Sequence, residues 1–143
     1  MMRVAAPTYD DIESVLARLS DQHRGEFSKL GFPSQDFTER LLQFLWSGDT
    51  KALYFDGEPQ AILSIKNDPS LGPITWLLCT TEYFENGLPA LRASRRYMQD
   101  AVKRHGAIHS FVGSDHPAAA KWMRALGFAF IADVGNTKLF RYA

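Results

Sequence analysis

Three side chains in this sequence are candidates for taking a proton from a substrate at neutral pH. His109 lies in the strand-like run "AIHSFVG", His116 precedes the helical stretch "PAAAKWMRALG", and Glu82 follows the apolar run "PITWLLCTT". Imidazole and carboxylate groups act as general bases when they lie within hydrogen-bond reach of the proton. Each histidine also has a structural interpretation, with His109 as a strand residue on one face of a sheet and His116 capping a helix together with Asp115.

Two predicted helix starts have the properties of an anion site, because the free N–H groups of a first helical turn attract negative charge. One start lies at Gly87, where the missing side chain lets a ligand approach the backbone. The other lies in "SDHPAAAKWMRALGF", residues 114–128, where Ser114 or Asp115 can accept N–H bonds and Pro117 presets the first turn. Both starts should open on the same sheet edge. The alternative to an anion site in residues 114–128 is a well-capped core helix.

Composition excludes several other kinds of site. No spacing of His, Cys, Asp or Glu is typical of a metal site, and no nucleophile triad can be read. The single cysteine, Cys79, excludes an internal disulfide, and its apolar neighbours predict buried packing. Sixteen Lys and Arg residues balance sixteen Asp and Glu residues, which does not favour nucleic acid as a partner. The absence of a signal-peptide pattern and of any apolar stretch of roughly 20 residues predicts a soluble protein without a membrane span.

The periodicity of apolar residues predicts one domain over residues 1–143, with helices and strands intermixed around one sheet. Asp56-Gly57 predicts a tight hairpin turn, and the nearly continuous apolar run at 74–80 predicts a central strand. The predicted fold class is α/β (mixed α+β), with a twisted mixed sheet flanked by helices in the order β-α-α-β-β-β-α-β-α-β-β. Strands are predicted in 1–7, in 51–68 (two), 73–81, 107–113, 128–134 and 137–143, and helices in 8–19 with an extension toward Leu30, 34–46, 88–106 and 117–127.

This element order, together with "HPAAAKWMRALGF", resembles the GNAT family of N-acetyltransferases over essentially the whole chain. The family's segment reads Asn-x-x-Ala, then an aromatic residue, then Leu-Gly-Phe. His116 stands at the Asn position, whereas Ala119 and Leu126-Gly127-Phe128 match. Residues 50–130 more closely resemble phage-encoded proteins of this fold, which include a small internal virion protein of T-seven-like podoviruses. The shared pattern is a Trp-containing strand, Leu-Arg-x-Ser-Arg-Arg at 91–96 and Trp-hydrophobic-Arg-x-Leu-Gly-Phe at 122–128.

The resemblance implies an acyl-CoA site whose diphosphate is bound by backbone N–H groups at the start of the long helix. The family's pattern there is Arg or Gln, two residues, Gly, one residue, then Gly or Ala. In this chain those positions hold Phe84, Gly87 and Pro89. Proline lacks an N–H, so one donor is missing, and Glu82 and Glu85 add negative charge nearby.

The resemblance also implies how the rest of such a site would be arranged. The proton donor to the leaving thiolate would be a tyrosine on the helix at 117–127, but Met123 occupies that place. The element order and the apolar strand runs predict that the strands at 74–80 and 107–112 splay apart. The cofactor expected, if the chain is active, is acetyl-CoA. The cofactor-binding residues implied are Thr80, Thr81, Gly87, Leu88, His116 and Ala119.

Two functions follow. The altered loop and the missing tyrosine favour a phage-encoded protein with a degenerate acyl-CoA site and no cofactor, which works as a virion, assembly or host-interaction protein. The alternative is an acetyl-CoA-dependent N-acetyltransferase acting on a small amine or a protein amine. The expected location is the host cytoplasm, and for the first function also the virion. Protein partners are favoured over nucleic acid, and the predicted contact surface is Arg92, Arg95 and Arg96. The alternative interpretation is that these three arginines form a solvated helix face.

Overall fold

A seven-stranded sheet in the order β1-β2-β3-β4-β5-β7-β6 organises the computed structural model, which describes residues 2–28, 34–46, 49–113 and 117–143. Neighbouring strands are antiparallel except β4 and β5, which run parallel, so the sheet is mixed as predicted. No helix in the described ranges is long and apolar enough to cross a membrane. The elements are β1 (Met2–Ala5), α1 (Tyr9–Ala17), α2 (Asp21–Ser28), α3 (Gln35–Trp46), β2 (Asp49–Phe55), β3 (Glu58–Asp68), β4 (Gly72–Cys79), α4 (Thr81–Glu85), α5 (Leu88–His105), β5 (Ile108–Val112), α6 (Pro117–Leu126), β6 (Ala129–Val134) and β7 (Thr137–Tyr142).

Helices cover both faces of the sheet because successive strand residues point to opposite sides. Ile62 of β3 packs in a core with residues of α1 and α3, whereas the next residue, Leu63, packs in a core with residues of α5 and α6. The α1 and α3 core contains Ile12, Val15, Leu16, Leu41, Leu42 and Leu45, and the α5 and α6 core contains Met98, Ala101, Met123 and Leu126.

Local signals fix the element boundaries where the sequence predicts them. Thr8 and Asp11 form a capping box at the start of α1, with each side chain accepting the other residue's backbone N–H. Asp56 and Gly57 both have positive φ angles, 50° and 84°, as a two-residue hairpin turn between β2 and β3 requires. The predicted hairpin and the central position of β4 are confirmed.

Two helix predictions need correction, since the observed order is β-α-α-α-β-β-β-α-α-β-α-β-β. The first predicted helix is two helices, α1 and α2, because Leu19 leaves the helix and forms an antiparallel bridge with Thr80 at the end of β4. Residues 21–28 of the predicted extension toward Leu30 form α2, and residues 29 and 30 lie outside the described residues. The short helix α4 is an addition, and it begins where the Thr80 hydroxyl accepts the backbone N–H of Tyr83 over 3.2 Å.

The Leu-Gly-Phe segment links α6 to β6 as predicted. Leu126 and Phe128 are buried, with 0% and 3% of their surface exposed. Gly127 ends the helix with a φ of +111°, and an added Cβ would lie 2.6 Å from Cε2 of Tyr142. Both its conformation and the space around it therefore require glycine.

Replacing Phe128 with Ala should lower the free energy of unfolding by about 3–5 kcal/mol, because it leaves a cavity in the core. Phe130→Ala is a matched control, since Phe130 is 45% exposed. That change should lower the free energy of unfolding by no more than about 1 kcal/mol. Urea unfolding of both variants measures the difference, and equal losses would contradict the described packing of Phe128.

Candidate functional site

The sheet opens between β4 and β5. These neighbouring strands pair at one position, Ile74 with His109, and the Ser110 hydroxyl then donates to the Thr75 carbonyl over 3.3 Å. Beyond this point the strands diverge, which confirms the predicted splay. A cavity of about 220 Å³ lies in the opening. Its lining is mainly apolar and includes His23, Leu77, Cys79, Phe84, Ala119, Trp122 and Met123.

The junction between α1 and α2 covers the far end of the β4 edge. The backbone N–H of Ser20 donates to the Cys79 carbonyl over 2.9 Å, next to the bridge between Leu19 and Thr80. Buried backbone groups are almost always paired, because an unpaired one has lost its hydrogen bonds to water. This pairing therefore fixes the junction against β4 and brings the first turn of α2 to the cavity.

His23 is a titratable side chain that this junction places at the cavity. Its Nδ1 lies 3.0 Å from the Ser20 hydroxyl oxygen, and its ring hydrogen-bonds to the backbone of Leu77 and Cys79. The ring also stacks on Phe84 at a centroid distance of 6.4 Å. Burial lowers the pKa of His23 to about 4, because the charged imidazolium would lose its hydration. His23 is therefore neutral at pH 7, and so low a pKa makes its imidazole a weak base.

An aromatic cluster closes the wall between α4 and α6. The ring of Phe84 lies 5.2 Å from that of Trp122 and 5.1 Å from that of Tyr83, in edge-to-face contacts. Phe84 is the residue at the Arg or Gln position of the family pattern, and here it packs inward. The Tyr83 hydroxyl lies 2.6 Å from the Ser94 hydroxyl, and burial raises the pKa of Tyr83. Tyr83 therefore contributes packing and a satisfied hydrogen bond instead of an accessible acid.

The start of α5 contains two of the predicted cofactor residues. Gly87 is its N-cap residue, with a φ of +55°, and no side chain caps the helix. Leu88 is 54% exposed at the first helical position, and Pro89 follows without an N–H. Thr81 is exposed at the start of α4. This corner presents few donors to an anion.

The other predicted cofactor residues have separate environments. Thr80 is buried, and its hydroxyl donates to Oε1 of Gln60 over 2.7 Å. Ala119 is buried and lines the cavity. His116, which is also a candidate base, lies outside the described residues.

The two other candidate bases lie outside the lining of the cavity. Glu82 is exposed on α4, accepts a hydrogen bond from Nε2 of Gln60 over 3.0 Å and lies 3.7 Å from Nη1 of Arg18. His109 lies on β5, and its buried Nδ1 has no hydrogen-bond partner among the described residues. The structure does not bring Glu82 and His109 together. It brings His23 to the cavity instead, a residue for which the sequence reveals no partner.

Met123 occupies the place of the family's tyrosine and is buried against the cavity. A thioether cannot donate a proton, so this position offers no acid to a leaving thiolate.

Within 2–28, 34–46, 49–113 and 117–143, no three His, Cys, Asp or Glu side chains are grouped to bind a metal.

The predicted partner surface lies on the solvent side of α5. Arg92, Arg95 and Arg96 are exposed, whereas Tyr97 and Met98 pack inward. None of the three arginines lines the cavity.

Comparisons with known proteins identify the fold. No protein-family model matches the chain, and no curated protein matches it. An acetyltransferase of the GNAT family from Bacillus anthracis superposes with a TM-score of 0.70 at 14% identity, over 99% of this chain and 92% of that one. An acetyltransferase from Thermus thermophilus gives 0.72 at 20% identity, over 99% and 96%. The PaiA N-acetyltransferase from Thermoplasma acidophilum, in complex with coenzyme A, gives 0.65 at 11% identity, over 99% and 98%. The chain therefore has the GNAT acetyltransferase fold.

The buried His23 predicts a loss of stability in acid. Its pKa is about 4 in the folded protein and about 6.5 when unfolded, so the unfolded state takes up a proton first as the pH falls. Between pH 7 and pH 4.5 this linkage should lower the free energy of unfolding by about 2–3 kcal/mol. His23→Gln should remove that part of the pH dependence. His105→Gln, at an exposed position, should retain it. Urea unfolding at both pH values makes the comparison, and identical pH dependence in wild type and His23→Gln would contradict a neutral buried imidazole.

Proposed function

We propose that this chain is a phage-encoded GNAT-fold protein that works by binding a protein partner and does not transfer an acyl group. Its role would be that of a virion, assembly or host-interaction protein, in the host cytoplasm and in the virion. The observation that carries the proposal is the inward packing of Phe84 on Trp122 and Tyr83. It replaces a polar contact to phosphate with a closed aromatic wall. The resemblance of residues 50–130 to phage-encoded proteins supports the biological setting.

The corner between α4 and α5 fits a diphosphate poorly. A helix start binds phosphate through several free N–H groups and its positive dipole end. Pro89 removes one of these groups, and the exposed carboxylates of Glu82 and Glu85 offset the positive end of the helix dipole and would repel a phosphate. Gly87 remains as a slim approach to the backbone. The residues present fit an apolar arm in the cavity better than the charged part of CoA.

Acetyl-CoA should therefore bind weakly or not at all, with a dissociation constant no tighter than about 1 mM. Restoring the missing donor with Pro89→Gly should strengthen binding, and adding Phe84→Arg should strengthen it further. Pro89→Ala is the matched control, because alanine restores the backbone N–H and, unlike glycine, keeps a Cβ atom at the position. Isothermal calorimetry measures all four proteins, and micromolar binding by the wild type would overturn the non-catalytic function.

A second function, an acetyl-CoA-dependent N-acetyltransferase acting on a small amine or a protein amine, is favoured by one observation. His23 is neutral, lies at the cavity and is fixed by Ser20 and the β4 backbone. A base in that position could accept the proton of an incoming amine. If the cofactor bound, Gly87 and Leu88 would lie toward its phosphates and Ala119 beside its apolar arm. The bound acetyl-CoA would supply an activated thioester.

Release of free thiol from acetyl-CoA separates the two functions. With polyamines and lysine peptides as acceptors, the wild type should release thiol no faster than a buffer blank. Sustained release that His23→Gln removes, and that His105→Gln leaves unchanged, would establish the transferase instead. Cys79 is buried, so its thiol should not contribute to the signal.

A further inference from the structure

A second concave surface lies between β1 and α5, apart from the splayed strands. It encloses about 410 Å³ and shares no lining residue with the cavity that contains His23. All four residues of β1 line one side of it. The other lining side chains that bear on its chemistry are Lys51, Arg96, Tyr97, Asp100 and Arg104.

The charges in this β1–α5 cleft are predominantly positive. Arg3, Lys51, Arg96 and Arg104 line it, against one lining carboxylate, Asp100. Arg104 pairs with Asp49 over 3.1 Å, and Arg3 stacks over the Tyr54 ring at 4.4 Å. Neither Lys51 nor Arg96 forms an ion pair with any described residue. Two unpaired cations in one cleft favour a ligand that carries negative charge.

Tyr97 adds an unsatisfied donor at the same place. The residue is 6% exposed, and its hydroxyl has no hydrogen-bond partner among the described residues. Leaving a buried hydroxyl unpaired is unfavourable, because the group has given up its bonds to water. Its aromatic body packs in the core with Met98 and Ala101, while the residue also lines the cleft. The hydroxyl oxygen is buried in the free protein, so an acceptor oxygen of a ligand would satisfy it once the ring turned toward the cleft.

The backbone of β1 provides a third feature. β1 is the first strand in the sheet order, and its only strand partner in the described part of the chain is β2. Its other edge therefore has unpaired backbone N–H and C=O groups, which can pair with an added strand. All four β1 residues line the cleft, so an extended peptide added to the free edge of this strand would lie beside the cations.

We infer that the β1–α5 cleft binds an extended acidic segment of a partner protein. The segment adds to the free edge of β1, and its carboxylates pair with Lys51 and Arg96. One of its acceptor oxygens accepts a hydrogen bond from the Tyr97 hydroxyl. This inference rests on the proposed function, which is the binding of a protein partner. Of the three arginines in the predicted partner surface, the inference assigns the contact to Arg96. Arg92 and Arg95 do not line the cleft.

Fluorescence anisotropy tests the inference with a labelled peptide of about eight residues, alternating Glu and Thr, which matches the length of a strand. Binding should be measurable at about 50 mM salt and weaker at higher salt. Arg96→Ala and Lys51→Ala should each weaken it about tenfold, because each removes a charged partner. Arg95→Ala, an exposed arginine of the same helix, is the matched control and should change affinity less than twofold.

Tyr97→Phe provides a readout that charge alone would not move. It should weaken peptide binding about fivefold, because one hydrogen bond to the ligand is lost. Without peptide, its melting temperature should stay unchanged or rise, since an unsatisfied buried hydroxyl is removed. A lower melting temperature without peptide would show that the hydroxyl already has a partner and would contradict the inference.

Three further results would overturn the inference. They are no peptide binding at low salt, equal effects of Arg96→Ala and Arg95→Ala, and equal binding of a peptide with the same charge but interspersed prolines. Tighter binding of a single-stranded oligonucleotide, with the same variant pattern, would reassign the cleft to nucleic acid.

Acetyl-CoA titration concerns the other cavity, so its result distinguishes failure of the proposed function from failure at the cleft.

Discussion

The divergence of β4 from β5 after a single paired position is the constraint on which the rest of the structure depends. It interrupts the sheet at its centre and leaves backbone groups of β4, on the side away from β3, without a paired strand. The chain satisfies part of that edge itself, with the N–H of Ser20 on Cys79, the hydroxyl of Ser110 on Thr75 and the ring of His23 on the backbone. The same contacts break the first helical segment in two and place a neutral imidazole beside the opening.

What fills the opening determines what the GNAT fold can do in this chain. Phe84, Trp122 and Met123 give it an apolar, tightly packed wall, where cofactor chemistry would call for a donor to phosphate and an acid for the thiolate. The positive charge lies elsewhere, at the β1–α5 cleft around Arg96. The two surfaces share no lining residue, so a substitution can change one without changing the lining of the other. Function in such a fold therefore has to be argued from each site and not from the architecture.

The sequence predicts most of the architecture because the signals involved are local. Apolar periodicity, the capping residues of α1 and the Asp56-Gly57 turn act within a few positions of the chain, and the structure confirms each of them. The break before α2 and the role of His23 depend on contacts with β4, more than fifty positions away, which no local pattern encodes. The phage setting stays a prediction, since it comes from a resemblance that the fold alone does not test.

The most direct measurement of the central claim is the melting temperature in the presence of about 1 mM CoA. A site closed by Phe84 and short of phosphate donors predicts a change of no more than about 2 °C, because a dissociation constant near 1 mM stabilises the fold by only about 0.4 kcal/mol. A micromolar site would add about 4 kcal/mol to the free energy of unfolding at that concentration, which raises the midpoint on the order of 10 °C. A rise of that size would contradict the claim and identify a working cofactor site.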